Sequence, residues 1–181
     1  LFCALSVYVE DAVVESCKIL MDAGVDFLWF PTPNFGGYCI SRKTYEKCIS
    51  KSNIHALKRI KENGAWIVLH TCGLYDDRFD LVLDESGDAW HISDTSTKKI
   101  KEQYGDKVAL MGSIPCVPVL MEGTEQEVYD FCYKECMDAA KDGRFILSGD
   151  CDVPPGTSDE NMKAAVRAAK DAEKVLFGKA E

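Results

Sequence analysis

No stretch of the 181-residue chain approaches the roughly 20 consecutive apolar residues that a membrane helix needs, and no basic segment with a cleavage site precedes the first helical pattern. These absences imply a cytoplasmic protein with no membrane partner. Positive charge is also short: 21 Lys and Arg stand against 30 Asp and Glu, for a formal net charge of -9. That field repels a phosphate backbone, which excludes nucleic acid as a partner. No Gly-x-Gly-x-x-Gly turn follows the first apolar run, so a dinucleotide-binding fold lacks its fingerprint. Repeats, low-complexity tracts and linkers are missing as well, and the length suits one domain over residues 1–181. Cysteine, by contrast, is plentiful. Nine cysteines without a secretory signal or a tight scaffold spacing read as reduced thiols, some of them available to a metal. The chain opens at Leu1 rather than methionine and enters a helical pattern almost at once, which suggests a fragment or a processed product.

Five short apolar runs rich in β-branched and aromatic residues read as strands: residues 25–30 (VDFLWF), 66–70 (WIVLH), 89–93 (AWHIS), 108–114 (VALMGSI) and 144–149 (RFILSG). Helical patterns lie around them, over 10–23, 42–63, 75–86, 96–104, 125–141 and 158–177. The last two open on apparent capping boxes, Thr124 with Glu127 and Thr157 with Glu160. Strict alternation with short loops implies right-handed crossovers and an α/β fold with a parallel sheet. That sheet is either doubly wound or part of a (β/α)8 TIM-type barrel.

Chemistry in such folds collects at the carboxyl ends of the strands. Those ends read PTPNFGG (31–37), HTCG (70–73), Ser93-Asp94, SIPC (113–116) and Asp150-Cys151-Asp152. His70, Cys72 and Cys151 form a workable zinc set, because zinc accepts imidazole and thiolate together and leaves a fourth position open when it is catalytic. The same three residues also read as a satisfied core histidine and two small buried hydrophobes. Cys132 and Cys136, four apart on one helical face, read as core, as do Cys3, Cys17, Cys39 and Cys48. Cys116 packs beneath the rim on this reading, and His55 and His91 are structural.

Three segments carry a resemblance: RIKENGAWIVLHTCG, GDKVALMGSI and GRFILSGDCDVPPGTSDENMKAAV. In order and spacing they resemble the uroporphyrinogen decarboxylase superfamily of (β/α)8 barrels. Within it, His70, Cys72 and Cys151 match the branch of zinc-dependent methyltransferases, which move a methyl group from a methylated corrinoid protein to a thiol such as coenzyme M. True decarboxylases carry other residues at those places. The resemblance implies that His70, Cys72 and Cys151 are catalytic zinc ligands, and it aligns Asp94 with a displaceable fourth one, against the alternative of a solvated or helix-capping aspartate. Zinc would deprotonate the thiol, whose sulfur attacks the methyl group of methylcobalamin, or of a corrinoid carried by a partner, and displaces cob(I)alamin. Asp150 and Asp152 would orient ligands or serve as surface carboxylates.

The sequence departs from the family at two rims. Gly112-Ser113-Ile114-Pro115-Cys116 replaces the usual Gly-Asn-Ile-Asp-Pro, and the 31–37 loop lacks the common acidic residues, so substrate contacts are not carried over. The resemblance also assigns the five strands to the last five of eight barrel units. His70 and Cys151 then lie three strands apart, roughly 14 Å in a flat sheet, against zinc bonds of about 2.0 to 2.3 Å, so the site requires barrel curvature. An oligomer, or a longer chain supplying further strands, follows as an expectation. Two alternatives to the corrinoid methyltransferase stay open: a non-catalytic partial-barrel subunit that binds zinc or a corrinoid protein, and a tetrapyrrole decarboxylase.

Overall fold

The computed structural model describes residues 2–178. Its strands are β1 (Phe27–Pro31), β2 (Trp66–Thr71), β3 (Ala89–Ile92), β4 (Ala109–Ile114) and β5 (Phe145–Gly149). They form an unclosed α/β sheet in the order β1-β2-β3-β4-β5, with β1 parallel to β2 and β4 parallel to β5. The strict alternation in the sequence thus yields sequential parallel crossovers. The chain packs as two compact units that meet in sequence within β3, residues 1–90 and 91–181. No helix among the described residues is long and apolar enough to cross a membrane.

The first unit begins with α1 (Phe2–Asp22), longer than the 10–23 pattern suggests. The 42–63 pattern is not one regular helix: α2 (Arg42–Thr44) runs through a π-helical stretch, Tyr45–Ser50, into α3 (Lys51–Lys61). The wider turn carries the buried residues Tyr45, Ile49 and Ser50. The 75–86 pattern shortens to α4 (Phe79–Asp84), because residues 75–78 form a turn in which Arg78 N–H donates to Tyr75 O.

The second unit holds α5 (Thr97–Tyr104), a π-helical turn at Cys116–Met121, α6 (Glu125–Ala139) and α7 (Asp159–Phe177). Its core joins Ile114, Leu120, Val128 and Cys132 to Ala164 and Ala168, where small residues on α7 let the two helices approach closely. The Thr124–Glu127 capping box forms as read. The other does not. Ser158 caps α7 by accepting from Asn161 N–H, while the Thr157 hydroxyl turns back to Pro154 O at 2.9 Å.

Cys17, Cys116, Cys132 and Cys136 are buried free thiols, as the core reading requires. Cys39 corrects it, being exposed in the turn that follows Gly36-Gly37, with its N–H on Gly36 O. Cys48 corrects the expectation of uniformly reduced thiols, since it is disulfide-bonded. The Cys3 side chain lies outside those described. His55 is mostly exposed and pairs with Glu10, tying α3 to α1, a structural role as expected.

Glu85 is 2% exposed and accepts from Tyr45 Oη and from Asn53 Nδ2, the latter at 3.0 Å. Burial raises its pKa to about 7, opposed by those two hydrogen bonds and assisted by the neighbouring charge of Asp84. The folded state therefore holds a proton that the unfolded chain releases near pH 4.5. The resulting stabilisation is complete below that pH and fades as pH rises to about 7. Between those limits stability should fall by on the order of 3 kcal/mol. Urea titrations across this range check the slope, and Glu85→Gln is expected to flatten it.

Candidate functional site

In the first unit, β2 delivers His70 and Thr71, both nearly fully buried, and then Cys72, a partly exposed cysteine outside any disulfide. Gly73 ends the extended run at φ 91°, a conformation that glycine adopts without a Cβ penalty. The histidine is held from β1. Its ring stacks on Trp29 at a centroid distance of 5.0 Å and an interplanar angle of 29°. Its carbonyl accepts from Thr32 N–H at 3.0 Å and from the Thr32 hydroxyl at 2.8 Å. Tyr75 Oη in turn donates to Thr32 O at 2.7 Å, and burial pushes the Tyr75 phenol well above its usual range. His70 therefore sits between an aromatic face and a buried hydrogen-bond chain.

The 35–40 loop closes over the turn that carries Cys72. A Cβ on Gly36 would stand 3.1 Å from Cys72 O and 3.3 Å from Leu74 O, tighter than ordinary contact, so this close approach favours glycine. Gly37 N–H donates to Leu74 O at 2.7 Å. Arg78, whose side chain is 1% exposed, fixes the loop. Its guanidinium donates to Phe35 O at 2.7 Å, to Ile40 O at 3.2 Å and to Asp77 at 2.8 Å, and lies over the rings of Tyr45 and Tyr75.

In the second unit, Cys151 is an exposed cysteine outside any disulfide, just beyond β5. Its loop is tied down by Asp150, whose N–H donates to Ile114 O at 2.8 Å and whose carboxylate accepts from Cys116 N–H at 3.0 Å. Cys116 Sγ donates to Cys151 O at 3.3 Å. Gly149 leaves room for that sulfur, since a Cβ there would come within 2.7 Å of it and force it to shift. His91 Nε2 donates to Gly149 O at 2.6 Å, a structural role as expected. Asp150 thus orders the backbone around Cys151, and Asp152 is exposed.

Burial pushes the Cys116 thiol up to about 11, Cys132 to about 12 and Cys136 to about 11. These sulfurs stay protonated and inert, which suits packing. Asp94 lies two residues past β3, exposed, at a φ of 48° that Asp tolerates better than most residues.

The structure therefore gathers His70 and Cys72 at one strand end of the first unit and puts Cys151 and Asp94 at strand ends of the second. Sequence reasoning missed Trp29, Thr32, Tyr75 and Arg78. The register pairing Pro31 with His70 aligns β1 with β2, and that pairing is what brings Trp29 and Thr32 to His70.

Comparison with known proteins bears on the whole of this arrangement. The uroporphyrinogen decarboxylase (URO-D) family model matches residues 3–172. A methylated-thiol–coenzyme M methyltransferase of Methanosarcina mazei is 26% identical over 162 residues, covering 89% of this chain and 42% of that protein. The solved structure of a methyltransferase from Methanosarcina mazei superposes with a TM-score of 0.80 at 20% identity, covering 90% of this chain and 47% of that one. At that identity the likeness shows the fold alone, a partial barrel-type α/β sheet. The chain spans less than half the length of either relative.

Proposed function

This chain belongs to the uroporphyrinogen decarboxylase (URO-D) family, and from that premise we propose that it carries the thiol-activating part of a corrinoid-dependent methyltransferase. In this reading, residues 1–181 act as one partial-barrel domain in which His70, Cys72 and Cys151 hold a zinc ion and Asp94 is a displaceable fourth ligand. A methylated corrinoid, free or on a partner protein, supplies the methyl group, and a small thiol such as coenzyme M takes it.

One observation carries the reading: an imidazole and a thiol outside any disulfide, two residues apart, at a braced strand end. Each of the three residues offers one atom suited to a metal ion, and an imidazole with two thiols is a donor set that zinc accepts. Bound zinc would hold an acceptor thiol as thiolate at neutral pH. The remaining work falls to the protein. Trp29 and Thr32 fix the orientation of His70, Arg78 holds the loop beside Cys72, and Asp150 sets the backbone that presents Cys151. The name of the relative, a methylated-thiol–coenzyme M methyltransferase, supports a methyl-transfer role.

The proposal includes a larger assembly, either an oligomer or a longer polypeptide. Phe27, Trp29 and Trp66 are 59%, 43% and 66% exposed on β1 and β2, more apolar surface than a finished sheet face leaves to solvent. The test is single-turnover methyl transfer from methylcobalamin to coenzyme M in the native assembly. Transfer should require zinc, vanish on chelation and return on adding the metal back, and Asp94→Asn should slow it only mildly. Zinc-independent transfer, or none with any thiol in the zinc-loaded assembly, overturns the reading.

A further inference from the structure

Beneath α1, on the face of β1 and β2 opposite the Trp29 side chain, the first unit holds a half-open cavity of about 330 Å³. Leu5, Val9 and Val13 of α1 form its roof, Leu57 of α3 and Leu69 of β2 its sides, and Phe30 of β1 part of its floor. Its one charged group is Glu10, 7% exposed, and that carboxylate is already engaged: it accepts from Arg59 Nη1 at 3.0 Å and Ser52 Oγ at 3.4 Å and pairs with His55. Among the described residues the wall thus offers a guest no free cation, and an anion entering it would lose its hydration without a partner in return.

A space of this size would take about ten waters at roughly 30 Å³ each. Against an almost wholly apolar wall most of them would lack hydrogen-bond partners, so an apolar guest displaces them favourably. Pro31 and Thr32 complete the floor. Thr32 is the residue that holds the His70 carbonyl, and Phe30 is the chain neighbour of Trp29, which stacks on the His70 ring. A guest pressing on residues 30–32 therefore acts on both supports of His70, without entering the strand-end rim.

We propose that this cavity is a binding site for an uncharged, apolar small molecule, distinct from the His70–Cys72 strand end, whose occupancy is transmitted to His70 through residues 30–32. The binding claim stands on the cavity alone and holds whether or not His70 ligates a metal.

The probe is N-phenyl-1-naphthylamine, an uncharged fluorophore, titrated into the native protein. Fluorescence should rise and saturate at one probe per chain. 1-Decanol should displace the probe, and decanoate should do so at least about tenfold less well, because the wall offers its charge no partner. Val9→Trp or Ala56→Leu, each filling the cavity, should weaken binding at least about tenfold while circular dichroism reports an unchanged fold. In the wild type, saturation should shift the ring resonances of 13C-labelled His70. Absent saturation, equal displacement by decanol and decanoate, or undiminished binding in a folded filling variant overturns the site. Saturation that leaves the His70 resonances unmoved overturns the transmission.

Discussion

Cys72→Ala is expected to lower single-turnover methyl transfer by at least about 100-fold, together with loss of most of the bound zinc. The fold should survive, because Cys72 is only partly buried and its turn is set by Gly73, the 35–40 loop and Arg78 rather than by its own sulfur. His70→Ala should match it in activity and cost more stability, since that ring is buried against Trp29. Thr32→Ala leaves the three proposed ligands in place and removes only the hydroxyl that braces His70, so a loss of about tenfold is expected. The ordering separates a ligand from its support. Equal activity in zinc-depleted Cys72→Ala and the wild type would remove the thiol-activation claim.

Arg78→Ala should be the most damaging single change to stability in the first unit, at about 3 kcal/mol or more. The guanidinium answers two loop carbonyls, Phe35 O and Ile40 O, and fills the space over Tyr45 and Tyr75. Alanine leaves both carbonyls without that donor and opens a cavity between the two rings. Arg78→Lys keeps the charge but not the planar fork, and should recover only part of the loss. Urea denaturation of the three proteins measures the order, and a cost below about 1 kcal/mol for alanine would contradict this account of the loop.

The sequence showed the strands well, because each is a short apolar run preceded by a glycine-bearing turn, and the observed bounds differ from the reading by at most two residues. Helix interiors were harder to place. The π-helical stretch at Tyr45–Ser50 answers to a buried partner, Glu85, that lies 40 residues from Tyr45 and leaves no mark on local periodicity. The cap of α7 moved by one residue because Thr157 found a nearer acceptor in Pro154 O. Cys39 and Cys48 were misjudged for the same reason: a cysteine's surroundings are not written in its neighbours. His70 and Cys72 were legible because residue type and strand end coincide there. Their supports were not, since Trp29 reaches His70 through the parallel register and Arg78 reaches Phe35 across 43 residues.

The central claim is that the chain's own side chains hold zinc through one imidazole and two thiols. X-ray absorption at the zinc edge of the native protein measures this most directly. The account predicts about one zinc per chain with two sulfurs and at least one imidazole nitrogen in its first shell, falling to one sulfur or to no metal in Cys151→Ala. A shell of oxygen and nitrogen alone, or two sulfurs retained in the His70→Ala/Cys151→Ala double variant, would contradict it.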